Sequence, residues 1–191
     1  RIELIKLNNK DNVLSSLTSN IGTFDKKFDM FEQEYTLTLG PYEAYVQIDA
    51  ALHNETASLI GTGEYFLENP GDTKDITIAV TSEFGDIRNY NIHLVREELN
   101  EDSTKLKTLA IKDDKYFLDS RFASLKTDYT VTIPQNELSL DFVYTTYQDS
   151  EVVTIKNNVL ILEKNTLITI TVTNKDAEPT IYKINVQKDS S

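Results

Sequence analysis

His53 and His93 are the only two histidines in a chain of 191 residues, and histidine is the side chain whose unperturbed charge change falls near neutral pH. Either could serve as a general base if a nucleophile and an orienting carboxylate converged on it. Their sequence settings do not suggest this. His53 lies in the polar run His53-Asn54-Glu55-Thr56, and His93 falls on the polar side of an alternating segment, so both read as solvated side chains. There is no Cys, which removes disulfides, thiolate catalysis and Cys-ligated zinc or iron–sulfur sites. No Gly-x-Ser-x-Gly, phosphate-cradling glycine loop or His-Glu-x-x-His occurs, and Gly61-Thr62-Gly63 is too short to hold a phosphate. No catalytic residue is therefore assigned, no cofactor is expected, and the chain reads as a non-enzyme.

Carboxylates are abundant: 31 Asp and Glu against 19 Lys and Arg give a formal net charge of −12. A chain this acidic is repelled by phosphate backbones, so nucleic acid is not an expected partner. The densest acidic set is Glu97, Glu98, Glu101 and Asp102. Calcium takes oxygen ligands of this kind when several loops bring them together. With no calcium-loop motif in the sequence, the set reads as a solvated linker, and no metal site is predicted. Ten Tyr and eight Phe offer aromatic surface. Tyr42, Tyr45, Tyr65, Tyr116 and Tyr147 fall outside the strongest core pattern and could stack on sugars; edge packing and loop anchoring is the simpler reading. Binding residues are left unassigned. A Lys–Asn or Lys–Asp cross-link would need a buried Lys, and no Lys holds an inward strand position. Asn54-Glu55-Thr56 fits the N-glycosylation pattern. At 39% hydrophobic and 26% charged residues the chain can build a core, and it has no run of 18 apolar residues, so no membrane insertion is expected.

These residues must be held by strands, because the apolar spacing is period two almost throughout. Tyr35, Leu37 and Leu39 alternate with Thr36 and Thr38; Val46, Ile48 and Ala50 with Gln47 and Asp49; Ile76, Ile78 and Val80 with Thr77 and Ala79; Tyr90, Ile92 and Leu94 with Asn91 and His93. Further along, Leu138, Leu140, Phe142 and Tyr144 alternate, as do Ile168, Ile170 and Val172. Strands are expected near 13–19, 34–39, 44–52, 57–60, 64–67, 75–82 and 89–96, with turn chemistry at Asn69-Pro70-Gly71-Asp72 and Phe84-Gly85-Asp86. The only place for a helical turn lies between Phe24 and Phe31.

The pattern repeats. Leu14-x-x-Leu17 returns 92 residues later as Leu106-x-x-Leu109, Ile76–Thr81 as Ile168–Thr173, and Tyr90–Leu94 as Tyr182–Val186. Phe28 and Tyr35–Leu39 return 94 residues later as Phe122 and Tyr129–Ile133. Ordered blocks at nearly constant spacing predict two copies of one unit. The expected fold is all-β: two tandem immunoglobulin-like antiparallel sandwiches of about seven strands each. Residues 1–10 are expected to be the remnant of a preceding repeat, its last strand and linker, because Ile2–Leu7 looks like the end of a unit. The first sandwich is then 11–97, the acidic linker 98–102 and the second sandwich 103–191.

The motifs Leu14-x-x-Leu17, Gly22-x-Phe24-x-x-x-Phe28, Tyr35-Thr36-Leu37-Thr38-Leu39, Gly61-x-Gly63, Leu67-x-x-x-Gly71, Ile76–Asp86 and Tyr90–Arg96 resemble the cadherin-like β-sandwich domain repeated on Gram-positive bacterial surface proteins. The second unit departs from it: Tyr116 stands where Gly22 does, and Lys156-Asn157-Asn158 replaces the Gly61 region. The family's usual Pro before the Phe is Lys26 in the first unit and Ser120 in the second. The resemblance implies a non-catalytic, extracellular module on the bacterial cell surface or cell wall, a repeat pair from a stalk or adhesin. Other repeats of the same polypeptide, and a host or bacterial surface protein or a glycan, are the implied partners. The alternative is a carbohydrate-binding accessory module beside a glycan-active enzyme.

Overall fold

Alternating Thr and large apolar residues make strands that bury one face, and in a computed structural model they do so twice. The structure describes residues 9–161 and 164–189. The expected remnant strand at 2–7 lies outside the described residues. The chain divides into two units, Arg1–Glu98 and Leu99–Ser191. Half-buried strands dominate both, and no α-helix is found among the described residues, so the protein is all-β.

The first unit contains β1 (Leu14–Ser19), β2 (Thr23–Phe24), β3 (Glu34–Leu39), β4 (Tyr45–Leu52), β5 (Ser58–Ile60), β6 (Gly63–Phe66), β7 (Thr73–Thr81) and β8 (Ile87–Arg96). They form a sheet in the order β1-β4-β6 and another in the order β2-β3-β8-β7-β5. Leu14, Leu17, Val46 and Ile48 from the first sheet meet Leu37, Ile78, Tyr90 and Ile92 from the second in one core. Burying each such side chain stabilises by roughly 1.5–3 kcal/mol, which offsets the entropy of ordering the strands. Gly61 lets the chain leave one sheet for the other between β5 and β6. Its φ is +97°, and a Cβ there would lie 2.2 Å from the Thr77 carbonyl oxygen.

The second unit contains β9 (Leu106–Ile111), β10 (Asp128–Ile133), β11 (Phe142–Thr146), β12 (Val152–Lys156), β13 (Thr166–Thr173) and β14 (Thr180–Lys188). Its sheets are β11-β9 and β10-β14-β13-β12. Leu106, Leu109 and Leu140 face Val131, Ile170, Tyr182 and Ile184 in its core.

Three details differ from the sequence expectation. Most pairings are antiparallel, but β3 runs parallel to β8, from Glu34 opposite Asn91 to Leu39 opposite Arg96, and β10 runs parallel to β14. Parallel neighbours need a long crossover, and the intervening strands of each unit supply it. The helical turn lies at Lys112–Asp114, as a short 3₁₀ turn, instead of between Phe24 and Phe31. Leu138 and Tyr144, expected to point inward, are exposed. Leu140 and Phe142 keep the inward parity across Asp141, but the stretch is two segments, Ser139 bridging Val159 and β11 pairing with β9, and its ends turn to solvent.

Candidate functional site

The two histidines sit apart on the first unit. His53 Nδ1 lies 2.6 Å from Asp11 Oδ2, and His93 Nδ1 lies 2.7 Å from Asp75 Oδ1. The hydrogen bond with His53, followed by one from the Val13 N–H, holds the Asp11 carboxyl below its ordinary value. Each ring therefore has an orienting carboxylate, but no hydroxyl hydrogen-bonds to either ring among the described residues. Both rings are about half exposed. A general base needs a proton to take from a positioned nucleophile, and among the described residues no such group is hydrogen-bonded to either ring.

The four acidic residues Glu97, Glu98, Glu101 and Asp102 are engaged separately, through backbone or side chain. Glu98 lies over Gly71, where a Cβ would come within 2.5 Å of Glu98 Oε1, and the Glu97 N–H donates to the Leu39 carbonyl oxygen. In the second unit Asp102 pairs with Lys175 Nζ at 2.8 Å, and the Glu101 carbonyl accepts from Gln148 Nε2. Among the described residues no group of three or more His, Asp or Glu comes together as metal ligands.

The loosely placed tyrosines mostly anchor loops. Tyr116 donates to Glu137 Oε2 at 2.7 Å, Tyr147 and Ser124 share a hydroxyl bond of 2.9 Å, and Tyr65 donates to the Gly61 carbonyl. Tyr42 is half-buried. Tyr45 forms an aromatic surface pair, its ring 4.6 Å from that of Phe66 at 31°. Lys115 adds an ion pair to Glu137, and it and Tyr116 hold that carboxyl below its usual range.

The strongest polar geometry belongs to residues outside the candidates named from sequence. Tyr90 accepts from the buried Leu14 N–H at 3.0 Å and donates to the Met30 carbonyl at 2.6 Å. Tyr182 accepts from the Leu106 N–H at 3.1 Å and donates to the Ser124 carbonyl at 2.8 Å. Burial raises the pKa of both phenols, furthest for Tyr182. Phe28 packs against Tyr35 and Tyr90, and Phe122 against Tyr129 and Tyr182. Arg96, at the end of β8, is 1% exposed. Its guanidinium donates to the carbonyls of Pro41, Leu67 and Glu68 at 2.6–3.0 Å. Lys188 ends β14 and donates its Nζ to the Glu137 carbonyl. The buried carboxylate of Glu151 accepts from the N–H groups of Lys105, Tyr147 and Gln148. The sequence signal for Arg96 was position: it stands two residues beyond Leu94, on the inward side, with a cation 92 residues later.

No protein-family model and no curated protein matches the chain. Among solved structures it is similar to the protocadherin gammaB4 extracellular domain, with a TM-score of 0.27 and 10% identity over 88% of this chain and 32% of that one. It is also similar to EC1-2 of human mucin-like protocadherin, with a TM-score of 0.26 and 8% identity over 91% of this chain and 99% of that one. The chain thus spans about a third of the first of these. Both TM-scores are low, so the fold assignment rests on the sheet pairings and cores described above.

Proposed function

We propose that this chain is a non-catalytic structural and interaction module: a tandem pair of cadherin-like sandwich repeats from an extracellular stalk or adhesin of a bacterial surface. The observation that carries this reading is the tyrosine cross-bond. A last-strand Tyr grips the first-strand backbone N–H 76 residues earlier in both units, Leu14 with Tyr90 and Leu106 with Tyr182. The same closing device at the same spacing is what a duplicated, self-contained spacer would carry. The boundaries proposed are 11–97 and 103–191 for the repeats and 98–102 for the linker. The partners are further repeats of the same polypeptide and a surface protein or glycan on the facing cell. The carbohydrate-accessory alternative gains no observation of its own, because its candidate tyrosines mostly fasten separate loops.

Pulling the full chain by its two ends in a single-molecule force experiment tests the reading. Two resisted unfolding events are expected. Each should lengthen the chain by roughly 300 Å, given about 3.3–3.6 Å per extended residue. One event releasing the whole chain, or extension without resistance, would overturn it.

A further inference from the structure

The two units differ where the chain passes from the Leu-x-x-Leu strand toward the core phenylalanine. In the first unit it runs through Gly22, with φ +81°, close against β3. A Cβ there would lie 2.7 Å from Leu39 Cδ2 and 2.8 Å from the Thr38 carbonyl oxygen, so glycine is required. That passage lets β2 pair with β3, Phe24 opposite Leu37. In the second unit Tyr116 takes the place of Gly22, and two more residues separate Leu109 from Phe122 than separate Leu17 from Phe28. The chain bulges through the 3₁₀ turn, with Asp113 and Asp114 at φ 62° and 50°. No counterpart of β2 forms among the described residues. Phe117 is left 73% exposed. Beside it opens a cavity of about 230 Å³, lined by Leu109, Ile111, Phe117 and Phe122, with Arg121 and Asp114 among its polar residues.

The cavity lies beside a strand edge that both units leave free among the described residues, since β1 likewise pairs only with β4 in the first unit. β9 pairs with β11 on one side only, and no strand covers its other side among the described residues. The Lys112 N–H donates to the Asp141 carbonyl at 2.9 Å. By the alternation of an antiparallel ladder, Ala110 and Thr108 then face β11, and Leu109 and Ile111 turn their N–H and C=O groups to the open side. Charge adds a third feature. From Lys105 to Lys126 there are six basic residues (Lys105, Lys107, Lys112, Lys115, Arg121, Lys126) against three acidic ones (Asp113, Asp114, Asp119); with Glu137, which pairs with Lys115, the net is +2 within a chain of −12.

We propose that this opening docks an extended, acidic segment of a partner polypeptide. The segment adds as a strand to the free edge of β9 and seats one apolar side chain in the cavity. Strand addition uses the unpaired N–H and C=O groups for affinity and a side-chain pocket for selectivity. The basic stretch favours carboxylates flanking the apolar residue, and the acidity of the chain as a whole disfavours nonspecific anionic contacts elsewhere. The proposal goes beyond the stalk reading and stands or falls without it.

The test uses the isotope-labelled full chain and a synthetic peptide alternating Glu or Asp with Val and Leu, with a Lys-for-Glu/Asp counterpart as control. Addition of the acidic peptide should slow hydrogen exchange at the Leu109 and Ile111 amides at least tenfold. It should bind at least tenfold more tightly than the control, and Arg121→Glu and Phe117→Ala should each weaken it fivefold or more. If either variant lowers the melting temperature, the exchange map of the unaltered chain decides. Equal binding of the two peptides, protection at another strand edge, or no binding at millimolar peptide would overturn the proposal. So would protection that rises with protein concentration alone, which would assign the edge to a second copy.

Discussion

Replacing Tyr90 with Phe keeps the ring in the core and removes only the hydroxyl that joins first strand to last. Leu14 is fully buried, so its N–H is left without a partner and without water to replace it. An unsatisfied buried donor costs ~1–3 kcal/mol. Met30 is half-buried, and water can reach its carbonyl, so the second bond is worth only the ordinary net of ~0.5–1.5 kcal/mol. The sum is about 2–4 kcal/mol, against the ~5–15 kcal/mol that a domain of this kind has in all. At roughly 4–8 °C per kcal/mol for a domain of 60–100 residues, one melting transition should fall by about 10–25 °C. Tyr182→Phe should lower the other transition toward the upper end of that range, because Leu106 and Ser124 are both buried. Differential scanning calorimetry of the full chain reads both transitions. The pH dependence gives a second arm. Burial raises the folded-state pKa of both phenols above the ordinary tyrosine value of about 10, so the unfolded chain ionises first as pH rises. Their stabilisation is whole below about pH 10 and is lost above it, toward the higher folded value. Each Phe variant should weaken the alkaline loss of its own unit. A fall of less than about 3 °C in both variants would refute the reasoning about orphaned backbone groups. Either variant lowering both transitions equally would refute the separate cores.

Three further outcomes are expected. Arg96→Met should cost the first unit at least ~3 kcal/mol, since hydrogen bonds to a charged donor are worth ~1.5–3 kcal/mol each and three carbonyls lose theirs; the urea midpoint should fall at constant slope, and Arg96→Lys should recover part of it. Gly61→Ala should destabilise by ~2 kcal/mol or more, from a left-handed backbone plus the approach to Thr77, whereas Gly63→Ala, with nothing within 4 Å of its Cβ, should cost less in the same denaturation assay. Millimolar calcium should leave both melting transitions in place; a site filled at a hundredfold excess over its dissociation constant would add ~2.7 kcal/mol, and such an upward shift, lost on replacing Glu98 and Glu101, would restore a metal role for the linker.

Period-two spacing was enough to place the strands, because the face a residue takes depends only on its parity along the strand. Tyr35, Leu37, Leu39, Tyr90, Ile92 and Leu94 are all buried as their alternation requires. Parity does not say which strand lies alongside, so the parallel pairing of β3 with β8 was invisible: Thr36 reads the same whichever way its neighbour His93 runs. Parity puts Arg96 inward although its chemistry is that of a surface residue, and its burial follows once the carbonyls of Pro41, Leu67 and Glu68 converge on that point. Those carbonyls belong to turns far apart in sequence, and no local pattern encodes their meeting. The exchange of Gly22 for Tyr116 was plain in the sequence, but its consequence was not. A glycine in a left-handed, crowded position reports on its neighbours, Leu39 and the Thr38 carbonyl, and only their distances show that a side chain must push the passing chain aside. The opening beside Phe117 accompanies both the exchange of that glycine and the two added residues between Leu109 and Phe122. That makes the second unit's departure from the repeat pattern the most informative stretch of the chain for what it binds.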